Sequence, residues 1–154
     1  PELFQRLTTG VYVIGVGKGD RRNAFTAAWV MQVSYDPLLV ALSINAKHNS
    51  YKLLKEHRAF SVNILSRGEL EKAAHFGQPA SAGKMKAAEW TTSRTGLSLL
   101  RGAIGWLECE LASETPALAR PKAGMNEAEL TANTAIIAAS ARNTCSTWKL
   151  RQKR

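Results

Sequence analysis

Residues 23 to 50 read NAFTAAWVMQVSYDPLLVALSINAKHNS, two long apolar runs hinged at Asp36-Pro37, each with small polar groups at its end. From Phe25 to Val33 and again from Leu38 to Ile44 the chain is rich in β-branched, aromatic and aliphatic residues. Each run is too short between breakers for a long helix, so both are expected to be buried strands. Pro37 cannot donate a ladder hydrogen bond, which sets the turn between them. Thr26, Ala27 and Ala28 keep side chains small where a flat ring would have to reach the strand's amides; a bulky residue there would close the site. Past the second strand, Ser43, Asn45, His48, Asn49 and Ser50 supply hydroxyl, amide and imidazole groups just before SYKLLKEH. That segment is predicted to be a short amphipathic helix with Asn49 or Ser50 as its N-cap. Unpaired amides and the positive dipole end at a helix start attract a phosphate, and Lys47 adds a mobile positive charge. Taken singly, each feature has a plainer reading, since small strand residues are often core packing and Asn-Ser before a helix is usually a cap.

The rest of the chain reads as scaffold. Gly10 to Val16 is predicted to be a strand, and Gly17, Gly19 and Asp20 mark a hairpin turn, because glycine tolerates positive φ and Asp bonds nearby amides. The glycines at 15, 17 and 19 lack the G-x-G-x-x-G spacing and a following helix, which excludes a dinucleotide-binding loop. Residues 59 to 66, AFSVNILS, read as a strand, in which a buried Asn63 must be hydrogen-bonded and is expected to tie down a neighbouring loop. Ser66 and Glu69 open a helix in the S-x-x-E pattern, and Gly77 and Pro79 stop it. Within the polar segment from His75 to Arg94, Met85 and Trp90 are expected to anchor a long loop and His75 to cap or face solvent. GAIGWLECELASET at 102 to 115 is predicted to be a strand with one wet face. Its Glu108 and Glu110 share a face but read as solvation rather than as an acid-base pair.

At 154 residues the chain is expected to form one core without staples. No apolar run approaches the length of about eighteen residues that spans a bilayer, and no secretory signal pattern is read at the start, so no membrane segment and a cytoplasmic location are expected. Cys109 and Cys145 lack metal-ligand spacing, and no disulfide framework is expected. The formal charge of +9 is unevenly placed: residues 1 to 117 carry 14 Lys and Arg against 10 Asp and Glu, residues 118 to 154 carry 7 against 2. Arg142, Lys149, Arg151, Lys153 and Arg154, with Trp148 for stacking, would make a nucleic-acid patch, but a solvated end is the simpler reading and nucleic acid is not the expected partner.

In order along the chain, LTTGVYVIGV, NAFTAAWVMQVSYDPLLVALSI, a polar loop and helix, AFSVNIL and GWLECEL resemble the flavin reductase-like family with the FMN-binding split-barrel fold. The match covers residues 7 to 115 and is most specific around SYDP. The resemblance implies a mainly β protein, a six-stranded antiparallel Greek-key split barrel with short flanking helices and an atypical C-terminal part. It implies a homodimer that holds FMN and takes hydride from NADH or NADPH. It places Thr26, Ala27, Ala28, Trp29 and Val30 against the ring mainly through backbone, Ser43, Ile44 and Asn45 at the ribityl and ring edge, and Asn49 and Ser50, helped by Lys47 or His48, at the phosphate. Lys84, Met85 and Trp90 would then either cover a ring face or merely anchor their loop. No covalent catalytic side chain and no metal are implied. Relatives continue after the last of these strands with Gly-Asp-His and another valine-rich strand; here the chain reads PALARPKAGMN, without that histidine. An FMN-binding electron carrier or inactive module is therefore the alternative, and a nucleic-acid-binding protein using its basic end is a second.

The expected organisation is an FMN-binding domain over 1–117 and an Ala/Thr-rich basic tail over 118–154. That tail is expected to be helical over Asn126 to Ala141, with Met125, Leu130, Ile136 and Ile137 as an apolar stripe, or partly disordered. Two readings of the tail stay open: it replaces the missing strand, by domain exchange or by helical cover, since open sheet edges bind other chains, or it derives from a disrupted reading frame. A chain opening at Pro1 is also expected to be a fragment or a processed chain, such as one module of a larger flavoprotein.

Overall fold

A computed structural model describes residues 7–117 and 134–143. Strands β1 (Tyr12–Lys18) and β2 (Arg21–Ala27) form the predicted hairpin, paired from Tyr12 opposite Ala27 to Lys18 opposite Arg21. Gly17 enters the turn at φ 78°, and a Cβ there would lie 2.1 Å from the Arg21 carbonyl oxygen, so no other residue fits without displacing the backbone. There follow β3 (Val30–Ser34), β4 (Leu39–Asn45), helix α1 (Asn49–His57), β5 (Ala59–Ile64), helix α2 (Leu70–Gly77), a 3-10 turn at Lys84–Ala87, β6 (Trp90–Thr92), β7 (Ser98–Leu100), β8 (Gly105–Ala117) and β9 (Thr134–Asn143). Seven of these strands make one antiparallel sheet in the order β2-β1-β5-β8-β9-β4-β3, and β6 and β7 make a separate hairpin.

The two outer strands of this sheet, β2 and β3, are separated in sequence only by Ala28 and Trp29. Three Cα steps reach at most about 11 Å, so the sheet must curl until its edges nearly meet. The result is the expected mainly β, antiparallel split barrel with short helices beside it. The sheet holds seven strands rather than six because the apolar run from Phe25 to Val33 is not one strand. It breaks at Ala28-Trp29, and its halves pair with β1 on one side and β4 on the other. Hydrophobicity is continuous across the break, so composition carried no sign of it.

Both faces of β1 are covered. Ile14 and Val16 join Leu42, Leu54, Phe60, Val62 and Ile137 in the main core, while Val13 packs with Ala24, Phe76 and Leu100 on the opposite face. Each large aliphatic or aromatic side chain fully buried in this way contributes about 1.5–3 kcal/mol. Asn63, fully buried, does the expected tying: its Nδ2 donates to the Val13 carbonyl at 2.8 Å and its Oδ1 accepts from the Leu100 amide at 2.7 Å.

The helix expected over 126–141 is corrected by β9. Residues 134–143 form a strand between β8 and β4, pairing Ile137 with Leu42 on one side and Glu114 on the other. Ala135, Ile137, Ala139 and Ala141 are buried and Ile136 and Ser140 exposed, a period of two. The alanines favour helix intrinsically, but without this strand β4 and β8 would lose a paired edge; tertiary pairing overrides propensity. The chain thus supplies its own strand beyond Thr115. Residues 126–133, with Leu130, lie outside the described residues, as do Met125, Trp148, Cys145, Lys149, Arg151, Lys153 and Arg154. Among the described residues no helix is long and apolar enough to cross a membrane.

Candidate functional site

Two clefts adjoin where β2 ends, β4 ends and α1 begins. One, about 380 Å3, is lined by Phe25, Thr26, Ala27, Ala28, Trp29, Ser43, Ile44, Asn45 and His48. The other, about 360 Å3, has Asn23, Phe25 and Thr26 on one wall and Lys47, His48, Asn49 and Ser50 on a second. The segment Phe76 to Ala80 together with Lys84 closes it. Phe25, Thr26 and His48 belong to both, so the clefts are continuous. Of the strand, loop and helix-start residues that the resemblance places at the ring, ribityl and phosphate, all come together here except Val30, which opens β3 opposite Leu42 and lines neither cleft.

The chain presents backbone at the first cleft. Ala27 and Ala28 form its low wall, and the break after β2 is fixed by the Ser43 amide donating to the Trp29 carbonyl at 3.0 Å. Thr26 has no free hydroxyl proton to offer, because its Oγ1 donates to the Ala73 carbonyl at 2.5 Å and so ties β2 to α2. Asn45 folds the next turn: its Oδ1 accepts from the Lys47 amide at 2.9 Å, and its carbonyl accepts from the His48 amide at 3.1 Å. This turn holds His48 at the junction of the clefts and Lys47 on the wall of the second.

The expected cap of α1 is corrected. His48 is the N-cap and makes no side-chain capping bond. Ser50 lies inside the first turn, buried, its Oγ accepting from Asn23 Nδ2 at 3.0 Å, which takes it out of capping geometry. Among the described residues the amides of Asn49 and Ser50 meet no backbone acceptor. They remain available to an anion at the positive end of the helix.

Sequence reasoning missed Asn23, Phe25, Phe76 and Gln78 as wall residues and gave Lys84 only a passing role. Lys84 is 5% exposed, with Nζ donating to the Phe76 carbonyl at 2.9 Å and the Gln78 carbonyl at 2.5 Å. Burial pushes its pKa below the ordinary lysine value. A lysine in a polar loop carries no sequence mark of burial; only the fold brings α2's end against it. Met85 and Trp90 do not cover the clefts. Trp90 packs edge-on against Phe76 at 5.5 Å and its Nε1 donates to the Met85 carbonyl, so the pair anchors the loop. His75 likewise meets the Lys84 carbonyl at 3.0 Å and lines neither cleft.

Among the described residues no carboxylate lines either cleft, whereas Lys47, Lys84 and His48 do. Glu108 is bonded by the Thr95 hydroxyl at the surface, and Glu110 is exposed. Glu114 sits elsewhere, bonded by Tyr51 and Lys55. Among the described residues no group of three or more His, Cys, Asp or Glu side chains could hold a metal ion. A low alanine wall, unpaired amides and a cationic lining without competing acids fit a flat ring carrying an anionic ester.

The sequence model of the flavin reductase like domain matches residues 4–139. The chain is 30% identical over 111 residues to diflavin flavoprotein A 1 of Synechocystis, covering 70% of this chain and 19% of that protein. It is 30% identical over 113 residues to the NADH-dependent FMN reductase AsuE2 of Streptomyces nodosus, covering 71% of this chain and 61% of that one. The chain therefore spans about a fifth of the diflavin relatives and less than two thirds of the reductase. BorF, the flavin reductase component of a bacterial two-component tryptophan halogenase, superposes with a TM-score of 0.72 at 27% identity, covering 93% of this chain and 84% of that one. A match from residue 4 to residue 139 runs through both clefts and into β9, and on it the chain belongs to the flavin reductase-like family.

Proposed function

We propose that this chain binds FMN in the paired clefts and acts as a flavin oxidoreductase, taking hydride from NADH or NADPH and passing electrons to free flavin, oxygen or a partner protein. The single observation that carries the reading is the continuity of the alanine-walled cleft with the unpaired amides of α1, which matches a flat ring joined to a phosphate. Residues Thr26 to Trp29 would meet the ring through backbone, Ser43 to Asn45 its ribityl side, and Asn49 and Ser50, with Lys47 and His48, its phosphate. FMN, when bound, supplies the hydride acceptor. The chain's own work is then positional: the Asn45 turn sets the Lys47 and His48 side chains, and the Trp29 bond to Ser43 holds the low wall open. No side chain is required to act covalently.

We also propose that the working form is a homodimer, for which the exposed apolar side chains of β3 are the support. A second reading, an FMN-binding electron carrier without nicotinamide chemistry, draws on the missing Gly-Asp-His: the chain's only histidines are His48, His57 and His75. One experiment separates the readings. The full chain is titrated with FMN while flavin fluorescence is followed, and NADH is then added anaerobically while absorbance is followed. Quenching followed by bleaching is the expected result. Quenching without bleaching favours the carrier, and unquenched fluorescence removes both.

A further inference from the structure

Lys84 is a buried cation with no carboxylate near it among the described residues. An ammonium carries three N–H donors, and two of these go to the Phe76 and Gln78 carbonyls at the end of α2. Both acceptors are neutral, and among the described residues no acidic side chain lies within ion-pair distance of Lys84. A charge taken out of water without a counter-ion is costly. The same side chain lines the cleft whose other wall is the start of α1, with its free Asn49 and Ser50 amides. Two independent features, a helix start and a nine-tenths-buried ammonium with one uncommitted donor, thus border one space that no acidic side chain among the described residues lines.

We infer that Lys84 is a phosphate-recognising residue, closing on a nucleotide phosphate or diphosphate from the wall opposite α1, so that the ester is held between the α1 amides and the Lys84 ammonium. This rests on the flavin reading above and extends it to a residue outside the strand-loop-helix segment. Burial already disfavours the charged form of Lys84, and an arriving anion would relieve that. Structurally the side chain also caps α2, since cations and donors near a helix C-terminus satisfy its last carbonyls. The test must therefore separate anchoring from recognition.

Riboflavin, FMN and FAD are titrated against the wild-type full chain and the variants Lys84→Met, Lys84→Gln and Lys84→Arg, with circular dichroism to establish folding. The readout is the ratio of FMN to riboflavin affinity, which a merely structural role would not move. Lys84→Met and Lys84→Gln are expected to lower that ratio by about tenfold, the scale of one charge-assisted hydrogen bond. Riboflavin affinity should hold and Lys84→Arg should keep most of the ratio. A larger loss for FAD than for FMN assigns the contact to a diphosphate, an equal loss to the single phosphate. An unchanged ratio in folded Lys84→Met or Lys84→Gln overturns the inference while leaving flavin binding intact. Failure of wild type to bind either flavin removes the underlying reading and this inference with it. Should neither variant fold, reductive methylation of the wild type decides: inorganic diphosphate is expected to slow modification at Lys84 relative to the exposed Lys52, and no slowing overturns the proposal.

Discussion

Asn63 shows how one polar side chain sets the relation between two layers. It is fully buried, and its amide joins β1 at Val13 to β7 at Leu100 while also donating to Ser61 Oγ at 3.2 Å. Replacing it with alanine removes the donor and the acceptor together and leaves the Leu100 amide without its partner. An orphaned buried group costs about 1–3 kcal/mol, so we predict that Asn63→Ala destabilises the chain by about 3 kcal/mol. For a domain of this size that is a fall in Tm of roughly 6–12 °C, to be read by scanning calorimetry. A change under about 0.5 kcal/mol, the level of an ordinary surface substitution, would contradict the role given to this side chain. Asn63 was readable from sequence because a buried amide in an apolar strand has to be answered by a partner. Lys84 was not, because its meaning depends on carbonyls presented by a helix end that only the folded chain brings near.

At the level of elements, α1 is joined to β8 through Glu114, whose carboxylate accepts from Tyr51 and pairs with Lys55. The Lys55 bond, then the Tyr51 bond, hold the Glu114 pKa below its ordinary 4.5, and the Glu114 bond raises Lys55 and Tyr51. A carboxylate with a depressed folded value contributes stability that is present above its unfolded pKa and is lost as pH falls through the folded one. The raised lysine and tyrosine contribute below their unfolded values and lose that contribution as pH climbs past about 10. Lys55 is half exposed, so screening limits the pair to under about 1 kcal/mol. We predict that the Tm gap between wild type and Glu114→Gln stays level from pH 6 to 8 and narrows below pH 4.5; a gap unchanged down to pH 3 would contradict the ion pair. The hairpin, α1, β5, α2 and β8 were all legible as periodic runs between turn residues, although α2 starts at Leu70 with Glu69, not Ser66, as its N-cap and without a side-chain capping bond. The division of residues 25–33 and the identity of β9 were not. In both cases the strand is chosen by which edge needs a partner, and Ala-rich β9 has no strong propensity of its own to announce it.

At the scale of the whole molecule, a sheet that curls until β2 and β3 nearly meet still leaves β3 as an edge. Met31 and Val33, on one face of β3, are 64% and 51% exposed, and Trp29 and Tyr35 flank them at 70% and 88%. A long apolar edge is a pairing site unless something covers it. Trp29 belongs at once to this edge and to the alanine-walled cleft, so a second copy seated on β3 would also wall the site and exclude water from it. Reversing the character of the edge tests the two consequences together. Met31 and Val33 are solvent-facing and outside the core, so Met31→Lys with Val33→Lys leaves folding by circular dichroism unchanged. Across a two-fold interface the four new cations would be forced together and stripped of water, at a cost of several kcal/mol. We predict that the wild-type chain sediments as a dimer and the double variant as a monomer at the same concentration, with FMN affinity falling in step. A wild type that sediments as a monomer throughout the micromolar range would refute the second copy. A monomeric variant that binds FMN as tightly as the dimer would show instead that one chain walls the cleft unaided.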